Sequence, residues 1–87
     1  METESVRILL VEDDPGDVAL ATTLLREIRT PRYRVTVSAS LSEALRKLSH
    51  GIFDVVLLDL TLPDSRSMDT VRAIVQAAPE VAVIVHT

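Results

Sequence analysis

Two short apolar runs, each followed at once by acidic residues, constrain the fold of this chain most. The run ILLV at residues 8–11 is followed by Glu12 and Asp13, and the run VVLL at residues 55–58 is followed by Asp59. Such runs, rich in branched side chains, are typical of strands buried on both faces of a parallel sheet. Ligands bind at the carboxyl ends of those strands in open α/β folds. We therefore expect the three carboxylates to share one rim of the sheet and to bind a divalent metal ion there.

The rest of the chain alternates predicted strands with predicted helices. Strands are expected at about residues 8–11, 33–39, 54–59 and 81–85, and helices are expected to begin after Asp14, Ser40 and Pro63. Asp14 is a typical N-cap before Pro15, and the sequence SLSE at residues 40–43 is a capping box. The order βαβαβαβ predicts an α/β fold with a doubly wound parallel sheet and helices on both faces.

Apolar positions at regular spacing predict the buried faces of these elements. The predicted inward-facing residues are Val18, Ala21, Leu25 and Ile28 in the first helix, Val35, Val37 and Ala39 in the second strand, Leu41, Ala44, Leu45 and Leu48 in the second helix, and Met68, Val71, Ile74, Val75 and Ala78 in the third.

Composition limits the classes of function. With 87 residues, the chain is one domain at most. A net charge of −4 argues against nucleic acid or an anionic membrane as the main partner, and the lack of cysteine excludes disulfides and thiolate metal sites. The polar, acidic amino terminus does not resemble a signal peptide, and no apolar run approaches membrane-spanning length. A soluble cytoplasmic domain is expected.

The last predicted strand ends two residues before the chain does. Val81, Val83 and Val85 would point to one side of the sheet, and Ala82 and Ile84 to the other, so both faces of this strand require cover. The strand would also present an unpaired edge. We expect either that the chain is cut from a longer protein or that a second copy supplies the missing layer in a dimer or larger homo-oligomer.

Three segments of the chain resemble the signature blocks of the response-regulator receiver domain. They are residues 8–14 (ILLVEDD), 56–64 (VLLDLTLPD) and 83–87 (VIVHT), and the resemblance extends over the chain from Arg7 onward. It implies a flavodoxin-like topology, which in the family has five parallel strands in the order 2-1-3-4-5. This chain would supply (βα)3β as a single incomplete receiver domain, residues 1–87, lacking the family's last helix-strand-helix.

The resemblance also implies a chemistry for the acidic residues. Asp59 would accept a phosphoryl group from a phosphohistidine on a histidine kinase or a phosphotransfer protein. Mg²⁺ would be held by Asp13, Asp59, the backbone carbonyl of Thr61 and waters positioned partly by Glu12, a set of hard oxygen ligands. The cation would neutralise charge on the transferring group. Thr87 would be the switch hydroxyl that hydrogen-bonds the phosphoryl oxygen.

Two departures from the family pattern keep a second function open. Ser67 stands where the family usually has a glycine, and the family's strand-five lysine has no counterpart in these residues. The chain could therefore be an assembly module that pairs through its fourth strand, with phosphotransfer impaired or lost. A metal-dependent phosphatase fits poorly, because such enzymes typically have an aspartate where this chain has Thr61.

Several chemically active side chains have simpler interpretations. Glu12 and Asp13 could be ordinary loop acids, His50 is expected to be an exposed residue at a helix end, and His86 is not expected to be a metal ligand. Four arginines near the first crossover are expected to form a solvated surface: Arg26, Arg29, Arg32 and Arg34.

Overall fold

The four-stranded parallel sheet predicted from the sequence is confirmed. A computed structural model describes residues 5–86 of the chain. In chain order the elements are β1 (Ser5–Val11), α1 (Pro15–Glu27), β2 (Arg32–Ser38), α2 (Leu41–His50), β3 (Val55–Asp59), β4 (Thr61–Leu62), β5 (Ser65–Arg66), α3 (Ser67–Ala77) and β6 (Ala82–His86). The long strands pair in parallel in the order β2-β1-β3-β6. This order places the ends of β1 and β3 side by side.

The apolar run of β1 is buried on both faces of the sheet, as its sequence predicts. Leu9 and Val11 pack with the β3 residues Val56 and Leu58 against Ala44 of α2, in a cluster that also includes Ile74 of α3 and Leu62. Ile8 and Leu10 alternate with them along the strand and are buried too, although they lie outside that cluster. The central strand is therefore covered from both sides, which holds its carboxyl end rigidly in place.

The helix α1 is less deeply packed than α2 and α3. Its predicted inward face is partly confirmed, since Val18, Ala21 and Leu25 are half-buried. The predicted burial of Ile28 is wrong, because this residue is exposed. No side chain of α1, all of which lies in the described residues, is fully buried. None of the helices within residues 5–86 has the length and hydrophobicity that crossing a bilayer requires.

Two other predicted faces differ from the structure. In α3, Met68 is 56% exposed and Val75 45%, while Thr70 takes a core position beside Ile74. The Thr70 hydroxyl can be buried because it hydrogen-bonds Ser65 Oγ at 2.7 Å. The other predicted residues of this face are confirmed, since Ile74 is buried and Val71 and Ala78 are half-buried; counting only apolar residues missed Thr70.

In β2 the predicted alternation fails at the end of the strand. Ser38 is buried and Ala39 exposed, the reverse of the prediction. Ser38 pairs in register with Val11 and so faces the same core. The neighbouring strand, rather than the polarity of the residue, decides which way this side chain points.

The segment after β3 forms a small antiparallel hairpin that the sequence did not predict. β4 and β5 pair through Thr61 with Arg66 and Leu62 with Ser65. Asp64, in the turn, accepts hydrogen bonds from the backbone N–H groups of Leu41 (2.7 Å) and Ser42 (2.9 Å), the first residues of α2. This carboxylate fixes the chain that follows Asp59 to the amino end of α2.

The predicted N-caps are confirmed, but the capping box of α2 is only half formed, because the Glu43 carboxylate accepts from Lys47 Nζ at 2.9 Å. The Asp14 carboxylate accepts from the Gly16 N–H at 2.8 Å, and the Ser40 hydroxyl accepts from the Glu43 N–H at 3.2 Å. Both helices begin at the edge of the sheet where β1 and β2 end, so the caps hold the loops at that edge.

Candidate acidic site at the carboxyl edge of the sheet

The structure brings together the three acidic residues that the sequence predicted to meet. Glu12, Asp13 and Asp59 each place one carboxylate oxygen within 4.8 Å of the others. Glu12 and Asp59 are buried, whereas Asp13 is exposed. Because β1 and β3 are direct neighbours, their ends deliver these side chains to a single point. The simpler interpretation of Glu12 as a solvated loop acid does not fit its burial.

Glu12 is fixed by hydrogen bonds from the backbone. Its Oε2 atom accepts from the N–H groups of Asp13 (3.1 Å) and Asp14 (3.4 Å), and its own N–H donates to the Ser38 carbonyl at 2.9 Å. Burial, together with a hydrogen bond to Asp59, raises the pKa of Glu12 to about 7. Near neutral pH and without a cation, a proton shared by this pair offsets the repulsion between two buried carboxylates.

Asp59 is the member of the pair that stays ionised. Burial acts to raise the pKa of Asp59, but hydrogen bonds from the Thr61 backbone, Glu12 and the Thr61 hydroxyl outweigh burial and hold that pKa below its usual value. The Thr61 N–H and Oγ both donate to Asp59 Oδ1 at 3.0 Å. The other carboxylate oxygen, Oδ2, receives no hydrogen bond from Thr61.

The side chain of Thr61 is a contribution that sequence reasoning missed. The sequence interpretation used only its backbone carbonyl, yet its hydroxyl and N–H hold the Asp59 carboxylate. An aspartate whose side chain accepts from the N–H two residues later forms an Asx-turn. The sequence does contain a signal for this contact, namely a residue with a hydroxyl group two positions after the aspartate that ends the strand.

His86 lies directly beside Asp59. The two residues are partners in the β3–β6 register. The His86 Nε2 atom is buried and has no hydrogen-bond partner among residues 5–86. Within the described residues, the cluster able to hold a metal does not include His86.

Thr87 and His50 are the other two residues to which the sequence assigns a position or role. Thr87, the predicted switch hydroxyl, lies outside the described residues. His50 is exposed at the end of α2, where its Nδ1 lies 2.8 Å from the Arg46 carbonyl oxygen, as expected for a helix-end residue.

The donor set at this edge fits a hard divalent cation. It consists of carboxylate oxygens, two buried and one open to solvent. Burial and the neighbouring Asp59 raise the pKa of Glu12, so a proton or a bound cation would offset the repulsion between the two buried carboxylates. A bound cation would replace that proton.

The chain belongs to the response regulator receiver domain family, which it matches over residues 8–87. It is 35% identical over 82 residues to the swarming motility regulation protein RssB of Serratia marcescens, covering 94% of this chain and 36% of that protein. It is 31% identical over 87 residues to the transcriptional regulatory protein ZraR of Klebsiella oxytoca, covering 100% of this chain and 19% of that protein. The chain thus spans about a third or less of these curated relatives.

Solved structures of receiver domains share this fold. One is the receiver domain of the sensor histidine kinase PA1611 from Pseudomonas aeruginosa, solved with a magnesium ion coordinated in its active site cleft. It matches with a TM-score of 0.83 and 30% identity, over 97% of this chain and 68% of that one. The MaeR response regulator bound to beryllium trifluoride matches with a TM-score of 0.84 and 29% identity, over 94% of this chain and 66% of that one.

Proposed function

We propose that this chain is a phosphoacceptor module of a two-component phosphorelay, with Asp59 as the acceptor. It would form one domain that takes a phosphoryl group from a histidine kinase or a phosphotransfer protein. The observation that carries the proposal is the meeting of Glu12, Asp13 and Asp59 within 4.8 Å at the end of neighbouring strands. Membership of the receiver family supports it.

Asp59 has the properties that a phosphoryl acceptor needs. Its carboxylate is held in the ionised form, so it can attack phosphorus directly. Thr61 holds this carboxylate in place through two hydrogen bonds to Oδ1. Attack forms a P–O bond to Asp59 and breaks the P–N bond of phosphohistidine, and the electron pair stays on the imidazole nitrogen. The chain is then an acceptor that reacts once per cycle rather than a turnover enzyme.

The same residues would hold Mg²⁺. Asp13, Asp59 and the backbone carbonyl of Thr61 would be direct ligands, and Glu12 would position bound water. When bound, the cation would neutralise charge on the transferring phosphoryl group, where most of the catalysis of phosphoryl transfer lies. The magnesium ion in the cleft of the PA1611 receiver domain supports this assignment.

Two details complete the proposal. The Thr87 hydroxyl would report phosphorylation by hydrogen-bonding the phosphoryl oxygen. We place the protein in the cytoplasm, because histidine kinases draw the phosphoryl group from ATP, which is abundant there.

Phosphorylation by a small donor tests this function. The chain is incubated with acetyl phosphate, with and without Mg²⁺, and followed by intact-mass spectrometry. We expect an adduct that requires Mg²⁺ and is absent from Asp59→Asn. Asp69→Asn is the matched control, since Asp69 is an exposed carboxylate in the first turn of α3. An adduct that persists in Asp59→Asn would contradict the proposal.

A second candidate function is self-assembly through β6, favoured by the apolar surface of that strand. Ile84 is 52% exposed and Val85 44%, on a strand that is the last of the four in the described sheet. Each such side chain contributes about 1.5–3 kcal/mol when fully buried. A homodimer formed through this edge would pair the edge backbone groups and partly cover both side chains.

Analytical ultracentrifugation tests the assembly function. We expect a dimer at micromolar concentration that Ile84→Glu converts to a monomer. Leu20→Glu is the control, because Leu20 is 59% exposed on α1, the helix that packs beside β2 at the opposite edge of the sheet from β6. A parent chain that remains monomeric across the concentration range would rule out this candidate.

A further inference from the structure

A pocket at the opposite end of α1 from the acidic site collects an unusual amount of positive charge. It has a volume of about 340 Å³ and is lined by Leu25, Arg26, Ile28, Arg29, Arg32 and Tyr33. These residues come from the end of α1, the connection that follows and the start of β2. The helix is 13 residues long, so the pocket lies roughly 20 Å from the acidic cluster. It is therefore a separate site, which the phosphoacceptor function does not use.

The three arginines of this pocket are not neutralised by carboxylates in the described structure. The ion pairs found within residues 5–86 join Arg7 to Asp54, Lys47 to Glu43 and Arg72 to Asp69. Arg26 lies in the last turn of α1, where the negative end of the helix dipole stabilises its positive charge and so accounts for its presence. The dipole does not account for Arg29 or Arg32, which come after the helix has ended.

The chemistry of the lining selects among anionic ligands. A guanidinium group presents a planar fork of N–H donors that matches the oxygens of a phosphate, and three such groups suit a polyphosphate better than a single carboxylate. Tyr33 and Leu25 are half-buried and provide an aromatic and an aliphatic wall beside the charges. The volume falls within the range of small-molecule sites.

We propose that this pocket binds a phosphate-bearing small molecule of nucleotide size. Its phosphates contact Arg26, Arg29 and Arg32, and its ring lies against Tyr33. The sequence alone favoured a solvated surface for these arginines. In the structure these arginines line one pocket with the ring of Tyr33, and this arrangement favours a binding site over a solvated surface.

The chain carries its own reporter for this site, because Tyr33 is its one tyrosine. The 87-residue chain is titrated with ADP at physiological ionic strength without Mg²⁺, by calorimetry and by NMR of the tyrosine ring signals. We expect saturable 1:1 binding with shifted Tyr33 signals. Arg29→Gln and Arg32→Gln should each weaken binding about tenfold, the loss of one charge-assisted hydrogen-bonding group.

Controls separate a built site from general charge attraction. Arg72→Gln removes an exposed arginine on α3, which does not line this pocket, and should leave ADP binding unchanged. Thermal melts of each variant establish that it is folded. Absence of ADP binding to the folded parent, or equal weakening by Arg72→Gln, would overturn the proposal. Binding to vesicles of phosphatidylglycerol without binding to ADP would also overturn it, by identifying a membrane-facing patch instead.

Discussion

Glu12 and Asp59 end neighbouring strands and are buried against each other, one with a raised pKa and the other with a lowered one. The two pKa values differ because Thr61 donates two hydrogen bonds to Asp59, whereas burial is the largest influence on the pKa of Glu12. Glu12 is therefore the more readily protonated of the two acids, and Asp59 the more readily ionised. This division of roles within a pair of like residues is what the proposed chemistry requires.

The raised pKa of Glu12 predicts how stability and metal binding depend on pH. Its folded-state pKa of about 7 lies above the ordinary value of 4.5. Between these pH values the folded, metal-free chain keeps a proton that the unfolded chain loses, so this group's contribution to the free energy of unfolding falls as pH rises. Affinity for Mg²⁺ should rise over the same range, since the cation competes with that proton.

Urea unfolding at several pH values, with and without Mg²⁺, checks this prediction. Stabilisation by Mg²⁺ should be larger at pH 8 than at pH 5, and Glu12→Gln should flatten the dependence. A Mg²⁺ effect that is equal at both pH values in the parent chain would show that Glu12 does not hold the competing proton.

The hydroxyl of Thr61 is predicted to support the nucleophile. Thr61→Ala removes one of the two donors to Asp59 Oδ1 and leaves the backbone N–H in place. The pKa of Asp59 should rise, and phosphorylation by acetyl phosphate should slow about threefold to tenfold. Thr61→Ser keeps the hydroxyl and should restore the rate. If the serine variant is as slow as the alanine variant, the hydroxyl is not the cause.

Asp64 is predicted to stabilise the fold by capping α2 from a distant turn. Its carboxylate accepts from the Leu41 and Ser42 N–H groups, and these bonds hold its pKa below the usual value. Asp64→Ala should lower the midpoint of thermal unfolding by several degrees. The difference should shrink as the pH falls through the lowered pKa, because a protonated carboxyl loses these bonds. Asp69→Ala should leave the midpoint nearly unchanged.

Ser67 is predicted to be a strained position. Its φ is 54°, in the left-handed region that favours glycine, and it is the one residue of the described part of the chain other than glycine with a positive φ. The family's usual glycine at this position has the same explanation. Ser67→Gly should raise the free energy of unfolding by about 1 kcal/mol. Ser67→Ala keeps the Cβ atom and should not raise the free energy of unfolding. Equal effects of the two substitutions would show that Ser67 is not strained.

The sheet and its acidic edge could be predicted because they depend on local signals. The apolar runs before Glu12 and Asp59 identify buried parallel strands, and the geometry of parallel sheets then brings the acids together. The core position of Thr70 could not be predicted, because its burial depends on Ser65 as a hydrogen-bond partner. The link between Asp64 and α2 joins residues more than twenty positions apart, and no local pattern encodes it.

The most direct test of the central claim locates the phosphoryl group on the chain. After reaction with acetyl phosphate and Mg²⁺, an acyl phosphate is reduced by borohydride, which converts the modified aspartate to homoserine, and peptide mass spectrometry then gives its position. We predict homoserine at position 59 alone, dependent on Mg²⁺. Modification at another residue, or none when Mg²⁺ is demonstrably bound, would contradict the assignment of Asp59 as the phosphoacceptor.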